Sequence, residues 1–168
     1  MTRHFGALIP STNTTVEIEY NRLLPETLQV HVARLGKDSG TPFLPSLDAD
    51  LEYQSTLLGG SRVEAVCLTQ TSASLFDDDY DAKANRLMAA GTSAPSVTSA
   101  EAVGRAAQAM GTRRIALVSP YSQTVIERAK RYYEMRHDLE TVAMEGFGAT
   151  DSYAIGALGA DNATDAFT

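Results

Sequence analysis

The feature that most constrains this chain is an internal repeat. Ala7-Leu8-Ile9, Pro10, Ser11-Thr12-Asn13, Thr14 and Thr15-Val16-Glu17 are echoed by Ala116-Leu117-Val118, Pro120, Tyr121-Ser122-Gln123, Thr124 and Val125-Ile126-Glu127. From the proline onward the register is fixed: Pro10 returns as Pro120, Thr14 as Thr124 and Glu17 as Glu127, each 110 residues later. Val32-Ala33 and Gly36 return as Val142-Ala143 and Gly146 at the same offset. Small and β-branched residues often match by chance. Three consecutive elements in one register instead point to a duplicated unit.

Around the repeat, apolar runs alternate with amphipathic stretches. Phe5–Ile9, Leu28–Val32, Val63–Thr69, Ile115–Val118 and Leu139–Met144 read as strands, the third and fourth apolar enough to be buried. Helices are predicted over Thr14–Leu24, Asp48–Leu58, Asp79–Ala90, Thr98 to Gly111, and Thr124–Arg136, with Val16, Tyr20, Leu23 and Leu24 sharing one face of the first. Thr14–Glu17 and Thr98–Glu101 have capping-box spacing, while Gly59-Gly60 and Gly91 read as helix stops. Gly36–Pro45, rich in Gly, Pro and Ser, reads as a loop. Strands alternating with helices define an α/β protein: two pseudo-symmetric flavodoxin-like halves, 1–95 and 96–168, each a parallel sheet flanked by helices. The first half's loop Gln70-Thr71-Ser72-Ala73-Ser74 should have a counterpart at about position 180. The second half is therefore expected to be incomplete in this chain, with further residues beyond Thr168.

Composition narrows the partners. The 14 Lys+Arg against 21 Asp+Glu give a net charge of −7, which argues against nucleic acid or a membrane surface. The apolar runs are strand-length, too short to span a bilayer or to form a signal-peptide core, so a cytoplasmic protein is expected. The single cysteine, Cys67, rules out an internal disulfide or a cysteine-based zinc site. No phosphate-binding glycine loop is present, and His4, His31 and His137 lack metal-ligand spacing. Asp77-Asp78-Asp79 precedes a helix, where acids favour the dipole, so no metal is expected there.

In parallel sheets, ligands gather beyond the carboxyl ends of the strands. Pro10–Asn13, Gln70–Ser74 and Pro120–Gln123 fall there. Ser11, Asn13, Thr71, Ser72, Tyr121 and Ser122 supply neutral hydrogen-bonding groups, and two of the loops run into helix N-termini. This combination suits a small anion, a carboxylate above all. The alternative is that these residues only cap helices and close turns. Cys67, inside an apolar strand and three residues before Gln70, is expected to be a buried, inert thiol on the other face.

At these loops the chain resembles a known family. Gly6 to Glu17, GALIPSTNTTVE, is similar to the opening motif of maleate cis–trans isomerases. Gln70–Ser74 resembles their Cys-Thr-Ser-Gly-Ser loop, and Arg114–Tyr121, RIALVSPY, their second-half strand and turn. Arylmalonate decarboxylases share this arrangement, and both belong to the aspartate/glutamate racemase superfamily. The resemblance implies cofactor-independent chemistry at a carbon next to a carboxylate, in a site between two pseudo-symmetric halves. Racemases use a thiol from each half as acid and base, isomerases add one thiol to a double bond, and decarboxylases protonate an enediolate from the second-half thiol. It further implies that Asn13 and Tyr121 bind carboxylate and that Thr71-Ser72 serve an oxyanion. Ser152, after Asp151, stands where the family often has Asn. Gln70 stands at the first cysteine's position, and a neutral amide neither attacks carbon nor abstracts a proton. The expected function is a cofactor-independent decarboxylase or isomerase of a small dicarboxylic acid, decarboxylase-type protonation being feasible if a cysteine lies near 180. The alternative is a thiol-free member that binds a small carboxylate without such chemistry. A homodimer is left open.

Overall fold

The computed structural model describes residues 1–36 and 48–166, so the loop expected over Gly36–Pro45 lies, from position 37 onward, outside the described residues. The chain divides into two compact units, Met1–Glu101 and Ala102–Thr168. In chain order the first unit contains β1 (Arg3–Pro10), α1 (Val16–Leu23), β2 (Leu28–Leu35), α2 (Asp48–Gly60), β3 (Val66–Leu68), α3 (Thr71–Ser74), α4 (Tyr80–Thr92) and β4 (Ser96–Thr98). α5 (Ser99–Ala109) begins in this unit and continues into the second, which holds β5 (Arg114–Ser119), α6 (Gln123–His137), β6 (Glu140–Gly146), α7 (Ser152–Ala157) and α8 (Ala160–Asp165).

The first unit is a parallel sheet in the order β2-β1-β3-β4. β1 has a neighbour on each edge, and its Gly6-Ala7-Leu8-Ile9 run is buried, as its unbroken apolar sequence requires. Leu8, Leu35, Val66 and Leu68 of the sheet pack with Leu51 and Leu58 of α2 and Tyr80, Ala84 and Met88 of α4. Each such large side chain, fully buried, contributes about 1.5–3 kcal/mol. The face expected on α1 is only partly used. Tyr20 meets Phe5 edge-on with ring centroids 5.5 Å apart, whereas Leu23 is exposed.

The expected glycine stops hold, and they also mark a helix crossing. α2 ends on Gly59 and Gly60, and α4 ends one residue past Gly91, capped by a left-handed Ser93 with φ 57°. A Cβ on Gly59 would lie 2.5 Å from the Gly91 carbonyl oxygen, and one on Gly91 would lie 2.6 Å from Ser55 Cβ. These glycines let two helix backbones touch. Gly111, with φ +72°, does follow the end of α5 as expected.

The second unit repeats the strand–loop–helix–strand order of the first, with β5 and β6 parallel. Its strand β5 is not buried as expected: Ala116 is exposed, and Ile115, Leu117 and Val118 are half-buried. The reason lies in the sheet. β1 is flanked by β2 and β3, whereas among the described residues β5 pairs with β6 alone. Val125, Ile126, Ala129, Tyr132 and Tyr133 form the buried face of α6, and Gly104 of α5 admits the buried His137 ring, which a Cβ there would approach to 2.3 Å. Among the described residues no helix is long and apolar enough to cross a membrane.

Candidate functional site

Two of the expected loops leave the same edge of adjacent strands in the first unit. Ser11 N donates to the Leu35 carbonyl at 2.8 Å, extending the β1–β2 ladder by one rung, and Asn13 N returns to the Pro10 carbonyl at 2.9 Å to close the turn. Next along the sheet, Thr69 binds the Leu8 carbonyl through both its amide (2.8 Å) and its hydroxyl (3.0 Å), and so fixes where Gln70 leaves β3.

Asn13 performs the capping expected of Thr14. Its Oδ1 accepts from the amides of Thr15 (3.1 Å), the residue before α1, and Val16 (2.9 Å), the first of the helix. Glu17 does not reach back, because its carboxylate pairs with Arg34 Nη2. Arg34 Nη1 also donates to the Ser11 and Asn13 carbonyls, both at 3.0 Å. The Pro10–Asn13 loop is therefore stapled to the end of β2 by a guanidinium fork, a role that Lys could not reproduce. Two consequences follow for an anion. Some α1 amides expected to face a ligand are already taken by Asn13. The committed Oδ1 also turns the Asn13 Nδ2 group, with its two hydrogens, away from the helix.

The segment read as a loop after β3 is instead a one-turn helix, α3, with Gln70 as its extended N-cap residue. Ser72 is buried, while Gln70 and Thr71 are half-buried. The Thr71 and Ser99 hydroxyls lie 2.9 Å apart. At the C-terminal end of α3, Ser74 Oγ donates to Asp81 Oδ1 at 2.6 Å, and Thr98 Oγ1 donates to the same oxygen at 2.7 Å. The Thr98–Glu101 capping box is half made. Glu101 N reaches Thr98 Oγ1 at 3.3 Å, while the Glu101 carboxylate accepts from Asn85 Nδ2 at 2.9 Å.

In the second unit, the loops after β5 and β6 are zipped together. Phe147 N, Gly148 N and Ala149 N donate to the carbonyls of Ser119 (3.1 Å), Tyr121 (3.1 Å) and Pro120 (2.8 Å). Tyr121 and Ser122 are half-buried, with Ser122 as the N-cap residue of α6 and no side-chain cap there. Asp151 Oδ1 caps α7 through the amides of Tyr153 and Ala154, both at 2.9 Å, which sets Ser152 in the first turn. A cavity of 140 Å³ opens at the end of β5, lined chiefly by Val118, Pro120, Phe147, Ile155 and Leu158. The structure thus gathers Ser11, Asn13, Gln70, Thr71 and Ser72 at one edge of the first unit. Tyr121, Ser122 and Ser152 lie at the carboxyl ends of β5 and β6 in the second.

Other candidates recede. Cys67 faces away from its buried neighbours Val66 and Leu68, and burial pushes its thiol up to about 11, so it stays protonated near neutrality. Asp77 accepts from Asp79 N at 2.9 Å and Lys83 Nζ at 3.0 Å, and these partners hold its carboxyl below the usual range. His4 Nδ1 and His31 Nε2 share a hydrogen bond of 2.9 Å across β1 and β2. Among the described residues no group of three or more His, Cys, Asp or Glu is placed to hold a metal ion. Sequence reasoning passed over Arg34 and Asp81, although Arg34 stands at the carboxyl end of a strand, where ligand-loop partners belong.

Comparison with known proteins bears on the family and the fold. The family model for arylmalonate decarboxylase matches residues 6–167. A maleate isomerase from Pseudomonas putida is 27% identical over 166 residues, covering 89% of this chain and 62% of the relative; the chain thus spans less than two thirds of that protein. Among solved structures, maleate isomerase Iso from Pseudomonas putida superposes with a TM-score of 0.85 at 21% identity, covering 99% of this chain and 73% of that one. Unliganded arylmalonate decarboxylase gives 0.80 at 26% identity, covering 98% and 70%.

Proposed function

This chain belongs to the arylmalonate decarboxylase family, and from that premise we propose that it serves a cofactor-independent decarboxylase or isomerase acting next to a carboxylate of a small dicarboxylic acid. Asn13 is the observation that carries the reading. Two backbone amides hold its Oδ1, which leaves Nδ2 as a preset neutral donor for a carboxylate oxygen. Thr71 and Ser72, on the adjacent strand's loop, supply hydroxyls and amides for a second oxygen, and Tyr121, Ser122, Ser11 and Ser152 are the remaining substrate-binding candidates. Neutral donors of this kind stabilise a developing enediolate because they are oriented before charge appears.

Gln70 discriminates between the two reactions. Isomerisation by thiol addition needs a nucleophile, and an amide at position 70 is none. In decarboxylation the C–C bond breaks, CO2 leaves, and the electron pair passes into the remaining carboxylate as an enediolate. A proton then returns to carbon from an acid. Of these steps, the residues named here serve binding and charge stabilisation. A second reading, carboxylate binding without turnover, is favoured by the same Gln70 together with the half-buried Cys67, whose thiol desolvation pushes up to about 11.

Competition calorimetry with maleate, methylmalonate and phenylmalonate, alongside 13C NMR of carboxyl-labelled phenylmalonate, tests the proposal. The dicarboxylates should displace one another while dimethyl maleate does not, and labelled CO2 should appear. Binding without CO2 or fumarate selects the second reading. Failure of every dicarboxylate to bind, or equal binding of the ester, contradicts both.

A further inference from the structure

We propose that Asp81 is the positioning residue that holds Thr71 and Ser72 in their binding geometry; this rests on the reading above that those two residues meet substrate oxygens. A helix of four residues cannot hold itself, since its first turn fixes several dihedral angles for very few hydrogen bonds. α3 is such a helix, closed at its C-terminal end by Leu75 N to the Ser72 carbonyl (3.0 Å) and Phe76 N to the Ala73 carbonyl (3.2 Å). Its shape must be imposed from outside.

Asp81 imposes it. The carboxylate accepts only, so both hydroxyls that meet its Oδ1, Ser74 at 2.6 Å and Thr98 at 2.7 Å, must donate. Both distances fall in the short range of hydroxyl bonds to a charged acceptor. Ser74 is 2% exposed and Thr98 is fully buried, so water does not compete readily for either. Asp81 sits in the first turn of α4, directly after Tyr80, which is fully buried in the core. That anchor leaves the carboxylate little freedom to follow a moving loop. Thr98 in turn ends β4 and meets the start of α5, whose Ser99 hydroxyl holds Thr71 at 2.9 Å. One carboxylate thus ties the C-terminal end of α3 to the strand end that steadies its N-terminal end. Asp81 acts only through these partners, with no contact to the substrate required.

The test compares Asp81→Ala, Asp81→Asn and Ser74→Ala with the unaltered chain by hydrogen exchange and by maleate titration. Asn keeps an oxygen that can accept both hydroxyls. Asp81→Ala and Ser74→Ala should speed exchange of the Leu75 and Phe76 amides at least tenfold while β1 and α2 keep their protection. Asp81→Asn should stay within about threefold of the unaltered chain. Maleate affinity should fall at least tenfold in the alanine variants and recover in Asp81→Asn. Unchanged exchange at Leu75 and Phe76, exchange raised evenly over the whole unit, or no recovery in Asp81→Asn overturns the assignment. If the unaltered chain binds no maleate, the proposed function fails, and the exchange pattern still decides Asp81 by itself.

Discussion

Under the proposed function, Gln70 is where this chain departs from the thiol mechanisms that its resemblance implies. An amide has no ionisable proton and no nucleophilic pair near neutrality, and the thiol three residues earlier is pushed up to about 11 by burial. In the proposed site Gln70 is the N-cap residue of a short buried turn, at a strand end beside the Asn13 loop. Gln70→Cys should therefore introduce maleate-to-fumarate conversion about tenfold or more above the unaltered protein, a modest share of what a placed nucleophile or base supplies. Proton NMR of a maleate solution reads this directly. Maleate bound but unconverted would place Gln70 away from the reacting carbon. Asn13, Thr71 and Ser72 were singled out in the sequence because each lies in a polar stretch after an apolar run. Arg34 and Asp81 were not, because their partners lie far along the chain: Arg34 reaches back to Ser11, Asn13 and Glu17, and Asp81 reaches Thr98.

Among the elements, Gly59 and Gly91 carry more than the expected helix stop. Glycine after an apolar periodicity ends both helices as read, but sequence spacing carries no signal that another backbone is pressed against it. Alanine at either position gains about 1 kcal/mol in helix propensity but forces backbone atoms apart. A Cβ on Gly91 would also lie 2.8 Å from the Ser55 carbonyl carbon and the Thr56 nitrogen, which cannot rotate away. Gly91→Ala should thus destabilise the protein by about 1–3 kcal/mol, the cost of overpacking. Gly60→Ala, with nothing within 4 Å of the added carbon, should be neutral or stabilising by up to about 1 kcal/mol. Urea unfolding of the two variants measures the contrast, and equal effects would contradict the crossing. The capping boxes were misread for a related reason. Both candidate Glu residues found better partners outside the helix, Arg34 for Glu17 and Asn85 for Glu101.

Over the whole molecule, the two stretches in 110-residue register both form a parallel strand–helix–strand, but the register does not extend to their side-chain bonding. Asn13 caps α1, whereas its counterpart Gln123 opens α6 and bonds Glu127 at 3.2 Å. Glu17 pairs with Arg34, while the positions 110 residues later hold Glu127 and Met144. With a net charge of −7, the proposed binding of an anion would have to overcome the chain's own field through local donors, the role proposed for Asn13, Thr71 and Ser72. The Asn13 side-chain amide is thus the most direct reporter of the account. Its two protons, assigned in a 15N-labelled sample by their loss in Asn13→Ala, should shift and saturate as maleate is added. Phenylmalonate should compete for the same response, and Asn13→Ala should weaken maleate binding about tenfold, the cost of one charge-assisted hydrogen bond. Maleate bound with those resonances unmoved, or with undiminished affinity in Asn13→Ala, would contradict the account.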